Sequence, residues 1–232
     1  YITIGSTGNA TDFGDLTQAR YDGGAVSSTT RSVIGGGGDA GSTQYNIIDY
    51  VTIASTGNAL DFGDKTVGVF SCGGLGSAIR AVFAGGEDPS ANVDTIDYVQ
   101  FNTKGNAADF GNLTAARRAL AGLSSDTRGV FGGGREGSVV NKIEYITIAS
   151  VGNATDFGGN LLASRRFPTG CSSSTRGIFM GGSEPTRVNT IEYIEMATAG
   201  VNAADFGDLT EAKDSGGGGA WSNGIRGGVM GG

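Results

Sequence analysis

Histidine is absent from the 232 residues. Its absence removes Ser-His-Asp and Cys-His nucleophilic catalysis and every imidazole metal site. Cysteine occurs twice, at Cys72 and Cys171, 99 residues apart. That spacing makes neither a disulfide framework nor a metal knuckle, and both thiols read as small core residues. Proline occurs three times and charged residues make up only 17% of the chain, so long Lys/Glu-patterned helices are excluded and helix content is expected to be very low. Apolar runs stop after a handful of residues, well short of the roughly 18 that span a bilayer, and no signal-type segment opens the chain, so no membrane insertion is expected. The net charge of -7 repels phosphate backbones and anionic lipid, so nucleic acid is not an expected partner. With Tyr1 in the first position, the chain is expected to be a fragment, a processed product or the ordered part of something longer.

Glycine is what the chain has in excess, 44 residues against a usual share of about 7%. It follows no third-position period and is interleaved with Ile, Val, Phe and Tyr, as turns between short strands require. The segment Gly-Asn-Ala-x-Asp-Phe-Gly recurs with Phe13, Phe62, Phe110, Phe157 and Phe206, at spacings of 49, 48, 47 and 49. A second marker agrees: Arg31, Arg80, Arg128, Arg176 and Arg226 each precede a short apolar run and a Gly-Gly. Five copies of one unit therefore fill residues 1–232 as a single domain.

The third copy reads most clearly. Arg117 to Ser124 is a small-residue strand, and after the turn at Ser125-Asp126-Thr127 a second runs to Gly133-Gly134. A variable loop follows, then Ile143-Glu-Tyr-Ile-Thr-Ile alternates with period two, and Ala154-Thr-Asp-Phe forms an outer strand. Four short strands per copy make one propeller blade. The expected fold is an all-β, five-bladed propeller of four-stranded antiparallel blades. The chain begins with a third strand and ends after a second, so the N-terminal strands are expected to close the last blade, and loss of residues 1–14 to be severely destabilising. The column Val26, Leu75, Leu123, Cys171 and Trp221 is expected to pack between blades. The column Ala25, Gly74, Gly122, Gly170 and Ala220 is expected to crowd the central axis, where no larger side chain fits.

An apolar pair, Gly-Gly, a variable loop, Tyr and an aromatic, here Val130-Phe131, Gly133-Gly134, Tyr145 and Phe157, resemble the kelch repeat. The match runs through all five copies, with Phe where that family carries Trp and a longer interval after the Tyr. The tandem style of Tyr-Ile-Thr-Ile-Ala-Ser, Gly-Asn-Ala-x-Asp-Phe-Gly and Thr-Arg-Gly-Val-Phe-Gly-Gly-Gly also resembles kelch-like structural proteins of marine bacteriophages, among them tail and fibre components. That resemblance implies a virion or extracellular location and carries no catalytic residues with it.

Candidate chemistry is sparse. The glycine runs at Gly35–Gly38 and Gly216–Gly219 are not followed by Gly-Lys-Ser/Thr, so they cradle no phosphate. Paired carboxylates for glycoside hydrolysis need a unique asymmetric pair, whereas Asp12, Asp61, Asp109, Asp156 and Asp205 recur once per copy. These five Asp and Arg31, Arg80, Arg128, Arg176 and Arg226 are expected on one rim, as a structural ring of Arg-carboxylate contacts. Neither a cofactor nor a metal site is expected, although Ca²⁺ on pairs of the Asp12/Asp15 type stays open. The opposite face carries the least repeated loops, with Glu87, Asp88, Arg135, Glu136, Glu184 and Arg187, and the segments entering each first strand, with Arg20, Arg117, Arg118, Arg165 and Arg166. Variable loops on a rigid scaffold are where recognition sits. The expected function is a non-enzymatic structural or recognition module. As a virion tail-fibre or decoration component, it would bind a host surface, through a protein or a cell-surface glycan, or another protein of a larger virion assembly. The alternative is a lectin-like or scaffold propeller of a cellular protein, with a glycosidase in the axial channel ranking below both.

Overall fold

The computed structural model describes residues 1–3, 7–214 and 219–230. Every regular element among them is a β-strand. Four antiparallel sheets of four strands follow one another along the chain as propeller blades. Blade one is β1 (Gly24–Ser27), β2 (Arg31–Gly35), β3 (Ile47–Thr52) and β4 (Leu60–Asp64). Blade two is β5 (Gly73–Gly76), β6 (Arg80–Ala84), β7 (Thr95–Gln100) and β8 (Ala108–Asn112). Blade three is β9 (Ala121–Ser124), β10 (Arg128–Gly132), β11 (Lys142–Thr147) and β12 (Thr155–Asn160), and blade four is β13 (Thr169–Ser172), β14 (Arg176–Met180), β15 (Val188–Glu195) and β16 (Ala204–Lys213). β17 (Gly219–Ser222) and β18 (Gly227–Met230) form a two-stranded sheet, with β17 beside β13. The expectations placed on Ile4, on Gly216 to Gly218 and on Gly231-Gly232 fall outside the described residues.

Blades hold together because each sheet is apolar on both faces and buries them against its neighbours. One cluster joins blades one and two through Val33, Ile48, Phe62, Phe83, Val99 and Phe101. Further clusters join blades two and three, around Phe110 and Phe131, and blades three and four, around Phe157 and Phe179. Each fully buried Phe contributes about 1.5–3 kcal/mol of transfer free energy, so the core lies in layers between blades and not within any one of them. The inner column behaves as its composition demands. A Cβ on Gly122 would sit 2.4 Å from the Gly74 carbonyl oxygen, so alanine there would push adjacent inner strands apart. Val26, Leu75, Leu123 and Cys171 are buried between blades, but Trp221 on β17 is 45% exposed.

The recurrent Gly-Asn-Ala-x-Asp-Phe-Gly segment is a clasp between consecutive blades. Gly105 N–H donates to the Phe62 carbonyl (2.9 Å) and Ala107 N–H to that of Asp64 (2.7 Å). The Asn106 Oδ1 in turn accepts the Asp64 N–H at 3.1 Å. The same three bonds tie 57–59 to 13–15 and 152–154 to 110–112, and a version with one extra residue ties 200–203 to 157–160. The last Gly of the segment is required twice over: Gly63 has φ +145°, and a Cβ on it would lie 2.4 Å from the Gly105 carbonyl.

Candidate functional site

The segment entering each inner strand and the loop after each Gly-Gly lie against one another. Isolated antiparallel bridges join Tyr21 to Gly38, Phe70 to Glu87, Arg118 to Arg135, and Arg166 to Ser183. One residue further on, each blade places a non-glycine residue in the left-handed region: Asp22 (φ 56°), Ser71 (56°), Ala119 (57°) and Phe167 (53°). That conformation is costly for L-residues and persists only where the surroundings fix it. Here it turns the backbone tangentially around the axis, so Ser71 N–H donates to Asp22 O, Ala119 N–H to Ser71 O, and Phe167 N–H to Ala119 O, at 2.7, 2.8 and 2.8 Å. This belt of hydrogen bonds rims a funnel of about 510 Å³ that opens onto the axis.

From the sequence, Arg20, Arg117 and Arg165 are expected among the recognition residues of the variable-loop face, and the structure corrects this. All three are buried in ion pairs: Arg20 with Asp49 at 2.8 Å, Arg117 with Glu144, and Arg165 with Glu192. Each carboxylate sits on the third strand one residue before the repeat Tyr and also accepts a backbone N–H, from Thr17, Thr114 and Leu162 respectively. In blade two the column that holds these Arg carries Val69, yet the pair survives, because Lys65, four residues upstream in a column otherwise Leu, reaches Asp97 at 3.2 Å. Burial pulls the Arg117 and Arg165 guanidiniums below the ordinary arginine range, opposed at Arg117 by Glu144. The third-strand acids were missed in the sequence. Their signal was a fixed acidic column, Ile-Asp-Tyr or Ile-Glu-Tyr, inside otherwise apolar strands.

The other residues of the predicted face remain at the rim. Arg118 pairs with Glu87 and lies over the Phe70 ring, 5.8 Å from its centroid. Arg166 lies over the Phe167 ring, also at 5.8 Å. Arg135 is held by its bridge to Arg118, and the Asn92 side chain donates to the Arg135 and Glu136 carbonyls. Burial, and then the neighbouring Arg135 and Arg166 charges, lower the Arg118 pKa. Among the described residues Arg135 and Arg166 form no ion pair. Elsewhere on this face Glu136 pairs with Lys142 (2.7 Å), Arg187 pairs with Asp214 (3.3 Å), and Glu184 is exposed. Asp88 closes its own loop by accepting from Ser90 and Ala91, bonds that hold its carboxyl below the usual range. Asp39 does the same in blade one, accepting from Gly41, Thr43 and the Tyr45 hydroxyl.

The expected Arg-Asp ring is replaced by two separate devices. Asp12, Asp61, Asp109, Asp156 and Asp205 each accept the N–H of the Gly two residues on, which fixes the clasp turn locally. Arg31, Arg80, Arg128 and Arg176 instead lie over Tyr50, Tyr98, Tyr145 and Tyr193 at 4.4–4.7 Å, and each Tyr meets the repeat Phe edge-on. Arg31, Arg80 and Arg128 also donate to the carbonyls of Phe101, Ile148 and Met196 on the next blade. The Asp side chains are too short, and too committed to their own turns, to leave the strand end. Arg226, exposed at the tip of the β17–β18 hairpin, makes neither ring nor carboxylate contact among the described residues. No group of three or more Cys, Asp or Glu converges as a metal site among the described residues. Compared with known proteins, the chain matches no family model and no curated sequence.

Proposed function

We propose that this chain is a non-enzymatic recognition module, a tail-fibre or decoration component of a virion, that presents the funnel face to a host surface or to another virion protein. The observation that carries this reading is the contrast between backbone and side chains at one structural position. The bridge that rims the funnel is the same in every blade, yet it displays Tyr21/Gly38, Phe70/Glu87, Arg118/Arg135 and Arg166/Ser183. A lectin built by repetition would repeat its pocket, and a glycosidase would hold one free pair of carboxylates. The buried acids here are all held by cations. The kelch-like and phage-like repeat style supports the virion setting. The test is a glycan-array and whole-cell binding screen with the purified chain, beside a variant carrying Tyr21→Ser, Arg135→Ser and Arg187→Ser, one change in each of blades one, three and four. Binding that the triple variant loses is expected. Absence of any binding would make the role architectural, and unchanged binding by the variant would move recognition off this face.

Five blades, with the N-terminal strands completing the last, belong to the same proposal. Tyr1 and Thr11 exchange backbone hydrogen bonds, and Tyr1 meets Phe13 edge-on at 5.9 Å, the relation found in each blade between third and fourth strands. β18 has one partner, β17, and so offers the edge that a third strand needs. Closure would place Tyr1 opposite Gly228, as Tyr50 stands opposite Val33. Removal of residues 1–14 is expected to lower the melting temperature by well over 10 °C, and an unchanged melt would refute closure.

A further inference from the structure

We propose that the sector of the funnel rim carrying Arg118, Arg135 and Arg166 binds the charged groups of an anionic polysaccharide, a uronate or sulfated sugar chain; the proposal rests on the recognition reading above and names its ligand. The three arginines come from adjacent segments. Arg118 and Arg135 are paired across a two-bond bridge, with N–H···O distances of 3.1 and 2.8 Å, and Arg166 occupies the column of Arg118 one blade further on. Arg118 and Arg166 each precede a residue that lines the funnel, Ala119 and Phe167. The Arg118 and Arg166 guanidiniums lie over the Phe70 and Phe167 rings, 5.8 Å from each centroid, and Arg166 has no carboxylate partner among the described residues, so its planar fork can meet a carboxylate or sulfate through two parallel bonds.

The local charge runs against the molecule's own balance. In a chain of net charge -7, this sector gathers three arginines; Glu87 pairs with Arg118 and the neighbouring Glu136 with Lys142, so Arg135 and Arg166 have no ion-pair partner among the described residues. Like charges are not held together for stability, and their mutual repulsion is relieved when an anion arrives. Burial first, and then the neighbouring Arg135 and Arg166 charges, lower the Arg118 guanidinium, as expected where cations lie close together.

A sugar chain fits the surroundings better than a protein. Among the described residues that line the funnel, the large rings are Tyr21, 54% exposed in blade one, and Phe167, half-buried beneath Arg166. Two separated rings are fewer than the clustered aromatic anchors that dominate protein interfaces. Small hydroxyl and amide groups, from Ser71, Thr169 and the strand backbones, line the rest, in a volume within the range of small-ligand sites.

The experiment is calorimetric titration of the full chain with tetragalacturonate, with its methyl ester and with a sulfated galactan tetramer, at low and high salt. Binding of an acidic probe, at least about tenfold weaker for the ester and weakened again by salt, is expected. Arg135→Ala and Arg166→Ala should each weaken it by about tenfold with unchanged melting curves. Glu87→Ala, which frees Arg118, should tighten it several-fold, a gain that a structural role for these residues would not produce. Equal affinity for acid and ester, or acid binding unaffected by the Arg changes, overturns this site. If the chain still binds cells or neutral glycans in that case, the recognition reading stands without it. Failure to bind any glycan or cell removes both.

Discussion

Arg117 and Arg118 are neighbours in the chain and opposites in environment. The Arg117 side chain is 0% exposed and paired with Glu144 inside blade three, while that of Arg118 is 24% exposed at the funnel rim, paired with a Glu87 side chain that is 28% exposed. Their sequence context is the same irregular segment, and only the third dimension separates a fastener from a surface. Blade four repeats the division with Arg165 and Arg166. Blade one keeps the inner member, Arg20, and puts Tyr21 at the rim. The inner position is Arg in blades one, three and four, and in blade two, where it is Val69, Lys65 supplies the cation from four residues upstream, so a buried cation is kept while the outer residue drifts. That pattern is expected when stability constrains the first residue and a blade-specific surface role governs the second.

The contrast is sharpest in stability. Arg117→Ala strands a buried Glu144 and is expected to cost about 3–5 kcal/mol, the scale of a broken buried ion pair. Arg118→Ala removes a partly solvated pair and should cost under about 1 kcal/mol. Denaturant titration of the two variants decides the matter: similar losses would mean that Arg118 is as structural as its neighbour and would dissolve the comparison.

Blade two offers a way to rewrite the fastener itself. Its cation is Lys65, in the column that elsewhere holds Leu16, Leu113 and Leu161, and Val69 stands where the other blades have Arg. Lys65→Leu alone should cost about 3–5 kcal/mol, because Asp97 loses its partner. Adding Val69→Arg converts blade two to the arrangement of blade one, Leu16 with Arg20 and Asp49, and should recover most of the loss. A double-mutant cycle is expected to give a coupling of about 2–3 kcal/mol. Additive losses would show that the two columns are not interchangeable routes to one carboxylate.

The sequence carried the blades plainly, because strand period two, the glycine turns and a unit of about 48 residues recurring down the chain all report the same geometry. It also placed the variable loops and the entering segments on one face, since strand direction alone sets that. What it did not carry was the orientation of side chains in the entering segments. Residues 16–22 and their counterparts follow neither helix nor strand period, so nothing local tells an inward Arg20 from an outward Tyr21. The Arg31 column misled for a related reason. Arg and Asp recurring on one rim suggest pairing, but Asp12 and its copies are spent on their own Gly N–H groups, and the guanidiniums find the Tyr rings first. The acidic column on the third strands, read against a cation 27 to 32 residues upstream, would have exposed the buried pairs.

The smallest expected effect probes whether fastening is shared between the buried pairs and the exposed clasps. Asn106 Oδ1 accepts the Asp64 N–H at the outer edge of blades one and two, a solvent-exposed bond beside two backbone bonds that remain when the side chain is removed. Asn106→Ala should therefore cost only about 0.5–1 kcal/mol. Asn106→Asp keeps an acceptor but sets a second carboxylate near Asp64, so it should lose slightly more than Ala at low salt and converge on it as salt screens the repulsion. Thermal melts of both variants at two ionic strengths measure this. A loss as large as that of Arg117→Ala would make the clasps equal partners of the buried pairs. The expected small loss leaves the clasps as the device that aligns neighbouring blades, and the buried pairs as the device that keeps each entering segment down on its own blade.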